Sequence, residues 1–260
     1  MVAAWLGVPA ALVPFVRWLL KWGRRAATPA APAPGATNPA LDDLAEKVGD
    51  RWNRNPRFSD LDRPSPIPVP WRLTTREGAM QSADLVGVES FDGSSGQVEE
   101  LVTQFKALPR PRLVVLGGAG AGKSTLALQL LRELLRARLD GEPVPVLVSL
   151  SGWDPTATPK LWEWLPTKLD EDYPSLRGSG ATRTLIHRGD VLPLLDGFDE
   201  IPAGSRAAVI VALNTSLNER DQFILTSRTD EFVEAVRAAG QTLNKTVVIE
   251  PARVTLKEAT

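Results

Sequence analysis

The chain has 260 residues and a net charge of −1; at roughly 150 residues per domain, that length allows one or two domains. The absence of cysteine excludes disulfide scaffolds, thiolate-bound zinc, iron–sulfur clusters and thiol nucleophiles, and the single histidine, His187, excludes a multi-histidine metal centre. Balanced charge supplies no global field toward nucleic acid, the 43% hydrophobic fraction suits an ordinary core, and the 22 prolines and 8 tryptophans are concentrated in the first third.

Residues 1–16 carry no charged side chain, and the apolar run continues through Trp18, Leu19, Leu20 and Trp22 before Arg24 and Arg25. A membrane-crossing helix needs about 20 apolar residues. Residues 1–25 therefore read as an apolar helix that either anchors in a membrane or lies along its surface. The basic residues follow the apolar run, the reverse of a secretory signal, which would leave the rest of the chain in the cytoplasm.

Residues 26–89 read as a Pro-rich linker with one short helix, 39–54. Asn38-Pro39 supplies its start, Asn55-Pro56 its stop, and Leu41, Leu44, Ala45, Val48 and Trp52 share one face. Pro64, Pro66, Pro68 and Pro70 then alternate into an extended strap with Trp71 as an anchor, either a plain spacer or packed on the next domain.

From residue 90 to 260 the pattern is that of an α/β domain. Ser94 and Gln97 have capping-box spacing before a helix carrying Val98, Leu101, Val102 and Phe105. Apolar runs at 113–116, 144–150, 191–195, 223–227 and 246–250 alternate with helical patterns, which predicts a five-stranded parallel sheet covered on both faces. The expected fold is a P-loop NTPase sandwich of three layers (the ASCE arrangement), with strand order 5-1-4-3-2.

Gly117, Gly118, Ala119, Gly120, Ala121, Gly122, Lys123 and Ser124 form G-x(4)-G-K-S, followed by Thr125, between an apolar strand and an amphipathic helix. In that context glycines turn successive N–H groups toward phosphate at the positive end of a helix. Lys123 adds a charge for the outer phosphates, and Ser124 supplies a hydroxyl to Mg²⁺. A second motif, Val191–Glu200, ends a buried strand in Asp196, placed to complete the Mg²⁺ shell. Gly197 follows it, and Asp199 and Glu200 come next as acids for the attacking water, with Glu200 as the base and Asp199 supporting it. A third, Phe223–Arg228, ends another strand in Arg228, which would face the γ-phosphate or else pair with Asp230 or Glu231.

These three motifs, GGAGAGKST, LPLLDGFDE and FILTSRTDEF, resemble in order and spacing the NACHT family of STAND-type P-loop ATPases; the small residue after the first acid is that family's mark. The apolar start, Pro-rich spacer and PVPWR strap look more loosely like membrane-anchored, actinobacterial-type members. The resemblance implies an ATP/ADP- and Mg²⁺-binding switch in signalling or defence, closed with ADP and self-associating with ATP. It also implies a lid after the fifth strand, a winged helix with a phosphate-contacting histidine, and a sensor. The sequence ends at Thr260, so these are expected to be absent; His187 precedes Asp196 and reads as a packing or surface residue.

Thr167-Lys168-Leu169-Asp170 has the letters of a guanine-reading motif but precedes Asp196, so ATP is favoured over GTP. Three functions stay open: a slow ATPase switch, a nucleotide-holding scaffold, and a P-loop kinase or transport enzyme. The last would need an acceptor lid, for which only 151–182 is long enough.

Overall fold

A computed structural model describes residues 38–59, 61, 68–178 and 180–252. Residues 37–260 form one unit. The apolar helix expected within 1–25 lies outside the described residues. Among the described residues, no helix is long and apolar enough to cross a membrane.

The first described element is helix α1, Pro39–Asn53, opened by a proline whose fixed φ suits the first helical turn. Leu41, Leu44, Val48 and Trp52 are buried on its inner face. Asn38 does not cap the helix through its side chain; its amide donates instead to Asp190 at 3.3 Å. At the other end Arg51 donates to the Asp172 carbonyl and lies 5.1 Å over the Tyr173 ring. A short helix α2, Pro56–Ser59, comes next, with Phe58 against Trp52.

Strand β1, Pro70–Leu73, is formed by the end of the proline strap, and Trp71 is buried there. Helix α3, Ala83–Val86, and strand β2, Gly93–Ser94, come after it. Helix α4 spans Val98–Ala107. The expected capping box does not form: Ser94 belongs to β2, and Gln97 is the residue before the helix rather than its third residue. The alternating part comprises β3 (Arg112–Leu116), α5 (Lys123–Arg136), β4 (Val144–Ser149), α6 (Leu161–Asp172), α7 (Ala181–Arg188), β5 (Val191–Asp196), α8 (Ala203–Ser216), β6 (Phe223–Ser227), α9 (Thr229–Ala239) and β7 (Val247–Pro251).

Among the described residues the sheet has seven strands in the order β2-β1-β7-β3-β6-β5-β4. This corrects the five-stranded parallel expectation. The pairs among β7, β3, β6, β5 and β4 are parallel, while β1 joins β7 and β2 antiparallel. The sheet order therefore differs from the expected 5-1-4-3-2 by two antiparallel strands added outside β7. The reason is local: alternate prolines mask the strand pattern, yet Trp71, Arg72 and Leu73 pair with Pro251, Glu250 and Ile249, and proline is tolerated at a strand's first residue.

All five residues of β3 and of β6 are buried, so both sheet faces are covered, as fully apolar parallel strands require. Helix α5 packs on β4, β5 and β6, helix α1 on β4 and α7, and α8 on α9. Within 151–182, helix α6 is packed on the domain: Leu161, Leu165 and Leu169 are buried, and Trp153 stacks on Trp164 at 5.9 Å.

Arg112 opens β3 and is buried beneath the sheet's amino edge. Its Nε donates to the Asp221 carbonyl at 2.9 Å, Nη1 to that of Asn244 at 3.1 Å, and Nη2 to that of Asn218. Burial lowers the pKa of this guanidinium from its ordinary value. Burial likewise raises that of the Asp221 carboxyl, although the Asn218 N–H and Trp162 indole donate to it. Arg112 thus ties the starts of β6 and β7 to β3. Arg112→Met should strip three carbonyls of their donor and lower stability by about 3 kcal/mol, read as a reduced urea midpoint at unchanged slope.

Candidate functional site

The site is built by strand register. β6 sits between β3 and β5, with Val115 beside Thr226 and Leu116 beside Ser227 on one side, and Leu195 beside Leu225 on the other. Adjacent strands lie about 4.8 Å apart, so the ends of β3 and β5 are separated by roughly 10 Å across β6. A polyphosphate with a divalent ion can bridge that distance.

At the end of β3 the Gly117 N–H donates to the Ser227 carbonyl at 3.3 Å, tying the loop to β6. A Cβ on Gly117 would come within 2.9 Å of the Ala121 Cβ, so the loop can close on itself only without a side chain there. Gly118, Ala119 and Gly120 are exposed, Ala121 and Gly122 half-buried. Lys123, Ser124 and Thr125 form the first turn of α5, with Ser124 and Thr125 exposed. First-turn N–H groups have no partner within their helix, and the helix dipole adds positive potential there. Lys123 Nζ donates to the carbonyls of Gly117 at 3.0 Å and Gly118 at 2.9 Å, so its charge lies over the loop.

Asp196 ends β5, half-buried, and one carboxylate oxygen accepts from the Thr226 hydroxyl. The same hydroxyl accepts from the Gly197 N–H at 3.1 Å. Thr226 thereby stitches the ends of β5 and β6 together. Sequence reasoning missed this residue; its signal was a hydroxyl amid an apolar strand, one position before the polar end.

Gly197 has φ of 81° and leads into a single helical turn, Phe198–Glu200. A Cβ on Gly197 would lie 2.8 Å from Glu200 Cδ and 2.9 Å from its Oε2. The exposed Glu200 carboxylate therefore folds back over the glycine, which explains physically why a residue without a side chain follows the first acid. Asp199 faces the other way, to Arg228: the Arg228 N–H donates to Asp199 Oδ1 at 3.0 Å and Nε approaches Oδ2 at 3.0 Å. The alternative partner Glu231 is farther, 3.7 Å from Nη1, and Asp230 is not in the pair.

The expected site residues thus fall on one sheet edge through β3, β6 and β5. For Mg²⁺ the donor set fits: a hydroxyl and a carboxylate are hard oxygen ligands of the kind the ion takes together with phosphate and water. No cluster of three or more His, Asp or Glu suited to a metal exists among the described residues, so an ion here would depend on phosphate oxygens. His187 is exposed in the last turn of α7, away from these groups. A cavity of about 490 Å³, lined by Glu77, Gln81, Arg237 and Asn244 among others, precedes β7 and so lies at the opposite edge.

The family model of the NACHT domain matches residues 111–255, more than half of the chain. A search of the curated proteins finds no match.

Gly197→Ala should place a Cβ in a left-handed backbone conformation and against Glu200. The expected cost is about 1–2 kcal/mol in thermal unfolding of the nucleotide-free protein. An unchanged melting temperature would contradict this packing.

Proposed function

From the premise that this chain belongs to the NACHT domain family of P-loop NTPases, we propose that it binds ATP and ADP with Mg²⁺ and acts as a slow, hydrolysing switch. The observation that carries this reading is the placement of β6 between β3 and β5, which sets the phosphate loop, Arg228 and Asp196 on one edge.

In this reading Gly117 to Gly122 wrap the phosphates with backbone N–H groups, and Lys123 exchanges its two loop carbonyls for phosphate oxygens. Ser124, Thr125 and Asp196 face the outer phosphates, with Ser124 and Asp196 as the ligands of Mg²⁺. Bound there, the ion would neutralise charge on the phosphate oxygens. Glu200, exposed, takes a proton from the attacking water. Arg228, half-exposed, meets the charge of the terminal phosphate. ATP is favoured because Thr167-Lys168-Leu169-Asp170, with the letters of a guanine-reading motif, precedes Asp196.

A role in signalling or defence, with self-association in the ATP state, is the part of the proposal that rests on the family resemblance. Membrane attachment through residues 1–25 rests on their apolar sequence and on Arg24 and Arg25 behind it. The nucleotide-binding unit then faces the cytoplasm.

Lys123→Ala should abolish binding of fluorescent ADP and ATP, and retained binding would overturn the site. Glu200→Gln should keep binding while slowing turnover about 100-fold or more in a phosphate-release assay. Tight ADP binding by the wild type without any turnover would replace the switch by a nucleotide-holding scaffold. Deleting residues 1–25 should move the protein from the membrane pellet to the supernatant; equal partitioning would remove the anchor from the proposal.

A further inference from the structure

We propose that Asp199 is a positioning residue, whose carboxylate holds Arg228 beside the phosphate loop so that the pair sets the preference for a triphosphate over a diphosphate. This assignment presupposes the nucleotide site proposed above and changes the part of Asp199 within it, from an acid supporting Glu200 to the support of an arginine.

One carboxylate makes both bonds. Oδ1 takes the Arg228 backbone N–H and Oδ2 takes Nε, each at 3.0 Å. The backbone bond fixes where the residue starts, and the Nε bond fixes the plane of its guanidinium, because that group is a rigid fork. Burial is uneven across the pair: the Asp199 side chain is 13% exposed and that of Arg228 51%. The acid is thus held within the protein while the cation reaches solvent, with Nη1 3.7 Å from Glu231. A cation already oriented loses less freedom when an anion arrives.

Asp199 is itself immobilised. Arg206 donates through Nη2 to the Asp199 carbonyl at 2.7 Å and through Nε to that of Ile201 at 2.8 Å. The neighbouring Phe198 ring, fully buried, packs edge-on against Phe232 of α9 at 5.8 Å. The acidic turn is therefore tied to α8 through Arg206 and to α9 through the Phe198–Phe232 contact and the Arg228 bonds. Arg228 also follows Ser227, whose carbonyl accepts the Gly117 N–H. A shift of the guanidinium toward a third phosphate acts on a frame that includes both the loop and the turn. Glu200 shares none of these bonds, and the two adjacent acids divide into one for the water and one for the arginine.

The test uses the full chain with Asp199→Asn, Asp199→Glu, Arg228→Ala and the double variant Asp199→Asn/Arg228→Ala. ATP and ADP affinities come from competition with a fluorescent nucleotide, and thermal unfolding is measured without nucleotide. Asp199→Asn should weaken ATP binding about tenfold with ADP affinity held within about twofold. Arg228→Ala should do the same, the double variant should be no worse than Arg228→Ala, and Asp199→Glu should recover part of the loss. Equal loss for both nucleotides, or multiplied losses in the double variant, would overturn the proposal. Unchanged ATP affinity with lost turnover would also overturn it, by returning Asp199 to the water. Should Asp199→Asn fail to fold, Asp199→Glu and Arg228→Lys carry the same comparison. If the wild type binds neither nucleotide, the underlying site has failed; additive unfolding effects of the two substitutions would then refute the clamp as well.

Discussion

The parallel pairing of β6 with β3 on one side and β5 on the other governs everything at the site. Strands of a parallel sheet end on a common edge, and their backbone spacing is set by hydrogen bonding rather than by side chains. Two motifs more than 70 residues apart in sequence are thereby held about two strand spacings apart. Polar cross-links then secure the edge: Gly117 to Ser227, Thr226 to Asp196 and Gly197, and Arg228 to Asp199. Each lies where an apolar strand gives way to a polar end, so the hydrogen bonds cost no buried unsatisfied group and lock the loops at their roots.

At the opposite edge Arg112 performs the corresponding task with one side chain and three carbonyls. A lysine offers a compact point charge, whereas the guanidinium fork reaches three carbonyls on two segments, the 218–221 turn before β6 and Asn244 before β7. The amino edge is thus clamped by a buried cation and the carboxyl edge by a chain of hydroxyl and carboxylate bonds. Between them the β3 and β6 strands are wholly buried. Rigid strands with polar ends are what a site needs if a phosphate is to be met by preset dipoles.

The described residues between 38 and 90 belong to this unit and are not merely a tether. Helix α1 packs on β4 and α7, while β1 pairs with β7 near the other end of the sheet. Its proline pattern argued for an extended strap, and extended it is at Pro70–Leu73. The strand hydrogen bonds it makes were hidden because an alternating proline run and a β-strand are both extended backbone. Only the presence of β7, nearly 180 residues later, turns one into the other.

Much of this protein was determined by its sequence alone: the five buried apolar strands, the helix at 39–53, the phosphate loop, and the acids and arginine at strand ends are all written in local residue pattern. Periodicity and glycine placement depend on near neighbours, so they are readable without coordinates. The family follows from the same motifs. Tertiary structure alone decided which partner each polar group takes. Nothing in the order Asp199, Glu200 says that one acid turns to Arg228 and the other over Gly197, nor that Thr226 bridges two strands, nor that Arg112 gathers three carbonyls. Those choices are set by which strands lie side by side, and strand adjacency brings together residues whose separation along the chain carries no signal of their contact.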